Sequence, residues 1–160
     1  MITDFDRALA VLTKGEVEFI VICGVAAALH GSPRSTLDLD VVYRRTRDNL
    51  QRLATTLSAE SPYLRGAPPG LPFKWDLETL RSGLNFTLET RFGDLDLLGE
   101  VPGGGTYDAL LPHSIEVSGF GTHFRIVSLS KLIELKRAAG RAKDLESLAE
   151  LQLLFTRRKD

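Results

Sequence analysis

The spacing of apolar residues predicts helices and strands in alternation along the first part of the chain. Residues 3–14 carry apolar side chains at i, i+3 and i+4 intervals and predict a helix, with Thr3 and Asp6 as a capping box. Residues 17–23 form an unbroken apolar run rich in β-branched side chains, which predicts a strand buried on both faces. The alanine-rich segment 24–31 then predicts a short helix that ends at a glycine.

The rest of the chain adds more strands and closes with helices. A loop is predicted where proline and glycine are dense, at 60–73. The predicted strands are 37–43, 84–92, 95–100 and a hairpin over 114–127, with Gly93 and Asp94 as the turn between the second and the third. The predicted helices are one capped by Thr46, one from about 129 to 139, and one beginning near Lys143.

This order of elements predicts an α/β (α+β) fold, in which a small mixed β-sheet is flanked by helices and followed by a C-terminal helical pair. We expect one domain over residues 1–160, with its core at about 15–127 and the helical pair at about 128–156. The composition is that of a globular protein, with 43% hydrophobic and 26% charged residues.

Charge and hydropathy exclude several classes of partner. The formal net charge is -1, so polyanion binding would require a local basic patch. No apolar run approaches the ~20 residues of a membrane span, and the first residues lack a secretory signal. We therefore expect a cytoplasmic protein that has no membrane partner. The single cysteine, Cys23, has no partner for an internal disulfide and lies in an apolar run, where a small core residue is expected.

Two carboxylates stand out in the predicted strand 37–43. Asp38 and Asp40 are two residues apart, so both point to the same face of the strand. Carboxylates this close repel each other and raise each other's pKa, a cost that a bound cation removes. Mg²⁺ is the natural candidate, because it binds one or two carboxylates together with substrate phosphates. The alternative is an edge strand whose aspartates simply face water.

A resemblance to a known superfamily supports the metal interpretation. An apolar residue and a glycine after a buried strand (Cys23-Gly24-Val25), followed by Asp38-Leu39-Asp40-Val41, resemble the nucleotidyltransferase pattern. The stretches "HGSPRSTLDLD" and "LSKLIELKRAAGRAKDLESLAEL" are similar to the AbiEii-type, or MenT-like, nucleotidyltransferases of toxin–antitoxin systems. The resemblance implies a toxin-like enzyme that uses Mg²⁺ or Mn²⁺ to transfer NMP from an NTP to a hydroxyl acceptor. The implied partners are a tRNA 3′ end or other RNA, and a cognate antitoxin protein.

The resemblance also implies a third acidic ligand on a later strand. Asp96 is the favoured residue, because it stands between two leucines inside a predicted strand. Asp94 is the second choice and is expected to be a turn residue, whereas Glu100 is expected to be a solvated charge at a strand end. In this hypothesis Asp38, Asp40 and Asp96 bind the metal, and Asp96 helps to deprotonate the acceptor hydroxyl.

The remaining site residues are expected to bind the nucleotide. Lys143 is the predicted catalytic cation, and its alternative is a solvated helix surface. The predicted nucleotide-binding residues are Gly24, Val25, Ser32, Arg34 and Lys136. The family pattern has Gly or Ser where this chain has Val25, so we expect its branched side chain to crowd a triphosphate and only its backbone amide to contribute.

Two other functions remain open at the level of sequence. One is a non-catalytic protein that keeps the fold, such as an antitoxin or a regulatory subunit. The other is transfer of NMP to a protein or a small molecule. The paired aspartates favour an active enzyme, because a protein without catalysis has no need to retain charges that repel each other.

Overall fold

The computed structural model describes residues 2–159, with side chains for residues 2–158. In this part of the chain helices flank one mixed sheet, as the sequence predicts. The helices are α1 (Phe5–Lys14), α2 (Cys23–Leu29), α3 (Arg47–Ser58), α4 (Leu77–Ser82), α5 (Tyr107–Leu110), α6 (Leu129–Ala139) and α7 (Ala142–Lys159), with a 3₁₀ turn at Leu111–His113. The strands are β1 (Phe19–Ile22), β2 (Asp38–Tyr43), β3 (Tyr63–Leu64), β4 (Asn85–Thr90), β5 (Gly93–Leu98), β6 (Ser114–Gly119) and β7 (Thr122–Val127).

The sheet has the strand order β3-β4-β5-β2-β1-β7-β6. The interior strand β1 is buried along its whole length, runs antiparallel to β2 and runs parallel to β7. On its other side β2 runs parallel to β5. In β2 the side chains of Leu39 and Val41 are fully buried, while those of Asp38 and Asp40, which alternate with them, are half-buried. The alternation seen in the sequence therefore directs both aspartates away from the apolar core.

The N-terminal helix is capped one residue later than the sequence predicts. Asp4, not Thr3, caps α1, by accepting a hydrogen bond from the Arg7 amide at 3.1 Å. Thr3 instead joins two strands: its hydroxyl donates to the Leu37 carbonyl (2.6 Å) and accepts from the Asp94 amide (3.0 Å). The predicted capping box was wrong because this long-range bridge occupies the hydroxyl.

The turn between β4 and β5 also differs from its prediction. It lies at residues 91–92, so Gly93 and Asp94 belong to β5 rather than to the turn. Gly93 has a φ of 119°, and a Cβ there would lie 2.5 Å from the Thr3 Cα, so only glycine fits. The expected loop 60–73 contains β3, which pairs with β4, and α4 follows the loop. A strand of two residues is too short to show a period in the sequence.

The C-terminal helices form the expected pair. Ser128 caps α6, and Gly140 ends it in the left-handed conformation at a φ of 62°. The long helix α7 packs on α6 and also reaches the segment that follows α2: Arg158 donates to the His30 carbonyl at 2.8 Å. No helix among residues 2–159 combines the length and the apolar character that a bilayer crossing requires.

The buried His30 side chain predicts a pH effect on folding. Its Nε2 donates to the Val127 carbonyl (2.8 Å), which leaves Nδ1 to accept from the Arg158 guanidinium (2.9 Å). Burial first, and the Arg158 charge after it, lower the pKa of His30 from its usual 6.5. A histidine with a lowered pKa costs stability as pH falls from about 6.5 through its folded pKa.

We therefore expect the melting temperature to fall less between about pH 7.5 and about pH 5 in His30→Gln than in the unchanged chain. Thermal denaturation followed by circular dichroism measures this difference. His113→Gln, at an exposed position, is the matched control and should behave like the unchanged chain. Equal pH dependence in all three proteins would contradict this account of His30.

Candidate metal and nucleotide site

Three aspartates meet where β2 and β5 run side by side. The register of the parallel pair places Asp40 opposite Asp96, and side chains in register on neighbouring strands share a face. Carboxylate oxygens of Asp38, Asp40 and Asp96 all lie within 4.8 Å of one another. These are the three metal ligands proposed from the sequence, and the sheet brings them together.

Burial and mutual repulsion dominate the electrostatics of the cluster. Burial is the main cause that raises the pKa of Asp40, to about 9, followed by hydrogen bonding with Asp96 and the charge of Asp38. Burial and Asp96 likewise raise the pKa of Asp38. Oδ1 of Asp96 is buried and lies 2.9 Å from the Arg65 guanidinium. An all-oxygen donor set of three converging carboxylates fits a hard divalent cation.

Arg65, at the end of β3, contacts the acidic cluster from the β4 side of the sheet. Its guanidinium nitrogens lie 2.9 Å from Asp96, 3.3 Å from Asp94 and 3.8 Å from Asp38. Asp94 thus pairs with Arg65 and does not join the three converging carboxylates. This arginine was missed in the sequence, because only the pairing of β3 with β4 brings it to the aspartates.

The junction of β1 and α2 forms one wall of a cavity beside the triad. Cys23 has a φ of 58°, an uncommon conformation for a residue with a side chain. The next residue, Gly24, packs against Thr36: a Cβ there would lie 2.4 Å from the Thr36 hydroxyl oxygen. Burial raises the pKa of the Cys23 thiol to about 12, so this cysteine is not a thiolate nucleophile.

The cavity measures about 350 Å³. That volume falls in the range of ~300–1,000 Å³ that is usual for small-molecule sites. The acidic lining residues come from β2 and β5, and the basic ones, which form the basic side of the cavity, come from the C-terminal helical pair and the segment before β2. Its lining residues are Cys23, Gly24, Ala27, Ser32, Arg34, Ser35, Thr36, Asp38, Asp40, Asp96, Lys136, Arg141, Lys143, Ser147 and Leu151.

The basic side of the cavity is organised by a buried carboxylate. Asp144 is fully buried in α7 and contacts Lys136 (3.2 Å) and Arg141 (2.6 Å). Hydrogen bonds from Arg141 and Lys136 overcome the effect of burial and hold the pKa of Asp144 below its usual value. Asp144 therefore stays ionised and fixes two cations at the cavity wall. Arg34, on the segment before β2, is held by Glu150 at 3.0 Å.

Most of the residues predicted from the sequence converge on this one cavity. Gly24, Ser32, Arg34, Lys136 and Lys143 all line it together with the three aspartates. Val25, by contrast, was predicted to bind the nucleotide but does not line the cavity.

The Val25 side chain is buried in the hydrophobic core and does not line the cavity, so it cannot crowd a ligand there. The residue after the glycine faces the core because α2 begins at Cys23, one residue earlier than expected. Arg141 and Asp144 were not selected as site residues. Their signal was the i, i+3 spacing of opposite charges at the start of α7.

Comparison with known proteins supports this architecture at the level of fold. No family model and no curated protein sequence matches the chain. Among solved structures, the chain is similar to the crystal structure of a putative nucleotidyltransferase from Thermotoga maritima. The TM-score is 0.55 at 17% sequence identity, and the match covers 94% of each chain. The chain therefore has a nucleotidyltransferase fold. The closer resemblance to AbiEii-type or MenT-like enzymes stays a prediction.

The raised pKa of Asp40 predicts a stability cost that a substitution removes. A carboxyl group whose pKa rises from 3.8 to about 9 on folding costs stability as pH increases across that range. In the presence of a chelator we expect Asp40→Asn to melt at a higher temperature than the unchanged chain, with a difference that grows between about pH 5 and about pH 8.5.

Differential scanning fluorimetry across this pH range measures the difference. Asp6→Asn, at an exposed position on α1, removes the same charge far from the cluster and should show no such trend. A pH-independent effect of Asp40→Asn would contradict the raised pKa of Asp40.

Proposed function

We propose that this protein is a divalent-cation-dependent nucleotidyltransferase that transfers a nucleoside monophosphate from an NTP to a hydroxyl acceptor. The observation that carries the proposal is that one cavity is lined both by three converging carboxylates, Asp38, Asp40 and Asp96, and by basic residues that include Lys136 and Lys143. A nucleoside triphosphate with its cation requires both kinds of charge within a few ångströms of each other.

The three aspartates would hold the cation, for which Mg²⁺ or Mn²⁺ is proposed. Bound there, the cation supplies Lewis-acid polarisation of the phosphoryl oxygens and neutralises the charge that develops on them. Lys136, Arg141 and Lys143 would bind the phosphates that leave, together with Arg34 and the polar groups of the segment around Ser32. The backbone at Gly24 borders the same space and has no side chain in the way.

In the proposed reaction the acceptor oxygen forms a bond to the α-phosphorus. The bond from that phosphorus to the oxygen bridging to the β-phosphate breaks, and pyrophosphate leaves with the electron pair. The hydroxyl proton passes to Asp96, whose carboxylate lies beside Asp38 and Asp40 at the cavity. Lys143 and Lys136 offset the negative charge on the leaving pyrophosphate.

The proposed acceptor is RNA, with a tRNA 3′ end as the first candidate. This part of the proposal rests on the resemblance of "HGSPRSTLDLD" and of the C-terminal helices to toxin-like enzymes. A toxin of this kind would have a cognate antitoxin protein as its partner. The exposed basic residues Arg141 and Lys143, which line the cavity, supply the local positive charge that an RNA end requires despite the net charge of -1.

Incubation of the protein with each α-³²P-labelled NTP, Mg²⁺ or Mn²⁺, and total RNA tests the proposal. We expect label in RNA and its loss in Asp38→Asn and Asp40→Asn, because each substitution removes a ligand charge. Label on protein alone would point to protein modification. Undiminished labelling in both variants would exclude these residues as metal ligands.

Lys143 provides a separate test of the basic side. Lys143→Ala removes an exposed cation from the cavity wall, and we expect about a tenfold or greater loss in kcat/KM for the NTP. Steady-state kinetics with varied NTP measure this loss. Arg137→Ala is the matched control, because Arg137 lies on α6 but lines a different surface groove. Equal kinetics for the Lys143 variant and the unchanged chain would remove Lys143 from the site.

A further inference from the structure

Arg65 is anchored to the sheet independently of the aspartates. Its backbone amide donates to the Thr87 carbonyl at 3.0 Å, and its Nη2 donates to the Leu88 carbonyl at 2.8 Å. Both carbonyls belong to β4, the neighbour of β5. The main chain of the sheet therefore fixes where this guanidinium lies, and the side chain is only 25% exposed.

From this position the guanidinium faces three carboxylates at once. Nη2 lies 2.9 Å from Asp96, Nε lies 3.3 Å from Asp94, and Nη1 lies 3.8 Å from Asp38. Two of these residues belong to the triad proposed to hold the cation. Arginine keeps its positive charge at every pH of interest, so this contact is a permanent one between a cation and two proposed metal ligands.

The other cations of the site have a different place. Lys136, Arg141 and Lys143 line the cavity from α6 and α7, whereas Arg65 does not line it. Arg65 approaches from the β3–β4 side of the sheet and contacts the carboxylates Asp38 and Asp96. A triphosphate in the cavity would contact the first three residues, while the charge of Arg65 acts on the carboxylates themselves.

We propose that Arg65 is an internal counter-ion that competes with the divalent cation for Asp38 and Asp96. This inference rests on the proposed function for the identity of the cation site. Without a nucleotide, a cation that enters the triad is repelled by a guanidinium only a few ångströms from its ligands. A triphosphate brings negative charge that offsets this repulsion. The chain by itself therefore holds the cation weakly and favours a cation that arrives with the nucleotide.

Mn²⁺ binding in the absence of nucleotide tests this role without any turnover. Isothermal titration calorimetry of the full chain with Mn²⁺ at about pH 8 gives the affinity. We expect Arg65→Gln to bind Mn²⁺ at least about tenfold more tightly than the unchanged chain, because one repelling charge is gone. Arg65→Lys keeps a charge and should stay within about threefold of the unchanged chain.

Two controls locate the effect. Arg91→Gln removes the same charge from the exposed turn between β4 and β5 and should leave the affinity unchanged. Asp40→Asn should abolish tight Mn²⁺ binding both alone and combined with Arg65→Gln, which shows that the cation occupies the triad. Circular dichroism checks that each variant is folded. If Arg65→Gln does not fold, Arg65→Lys still tests the inference. Because lysine keeps the positive charge, tighter Mn²⁺ binding by Arg65→Lys would contradict it.

An affinity of Arg65→Gln equal to or weaker than that of the unchanged chain would overturn the inference, and Arg65 would then serve only to hold β3 or to keep the ligands ionised. Tighter binding together with no labelling of any acceptor would uphold the counter-ion role while the proposed function fails. Absence of Mn²⁺ binding in every variant would overturn both.

Discussion

Parallel pairing of β2 with β5 forces negative charges together at one place in the sheet, and much of the surrounding structure depends on that pairing. The register puts Asp40 opposite Asp96 and Asp38 opposite Asp94, so no change of rotamer alone would disperse the charge. Thr3 connects the Leu37 carbonyl, just before β2, with the Asp94 amide near the start of β5 and so links the two strand ends. A cluster that costs stability in this way is retained where a site requires it.

Cations from two parts of the fold lie near this negative charge. On the β3–β4 side, Arg65 lies against the cluster and is held by main-chain carbonyls. On the other side, the helical pair supplies Lys136 and Arg141, which the fully buried Asp144 fixes in place. An ion pair with a buried partner is costly to break, because it leaves an uncompensated charge in the interior. Asp144 therefore holds Lys136 and Arg141 in place on the basic side of the cavity.

The sequence was sufficient for the residues whose position follows from a local period. Alternation in the strand predicted that Asp38 and Asp40 share a face, and the leucines around Asp96 predicted that it lies within a strand. The features that were missed depend on contacts between residues far apart in the sequence. Arg65 follows a strand of only two residues, which pairs with β4. Thr3 does not cap α1 but bridges Leu37 and Asp94. The error at Val25 had a local cause. Cys23 has a left-handed backbone conformation and α2 begins at this residue, earlier than expected, and the Val25 side chain faces the core.

Charge sorted within one cavity explains how a chain with a net charge of -1 can be suited to a polyphosphate ligand. A uniformly basic surface would attract phosphates but would also repel the divalent cation that accompanies them. Here the acidic triad and the basic residues of the helical pair line one cavity of about 350 Å³, so in the proposed function each would attract one component of a cation–triphosphate pair. The contact of Arg65 with the triad would add a preference between the two orders of arrival. A free cation would meet carboxylates that Arg65 already neutralises in part, whereas a cation that carries phosphates would gain contacts with the acidic and the basic residues at once.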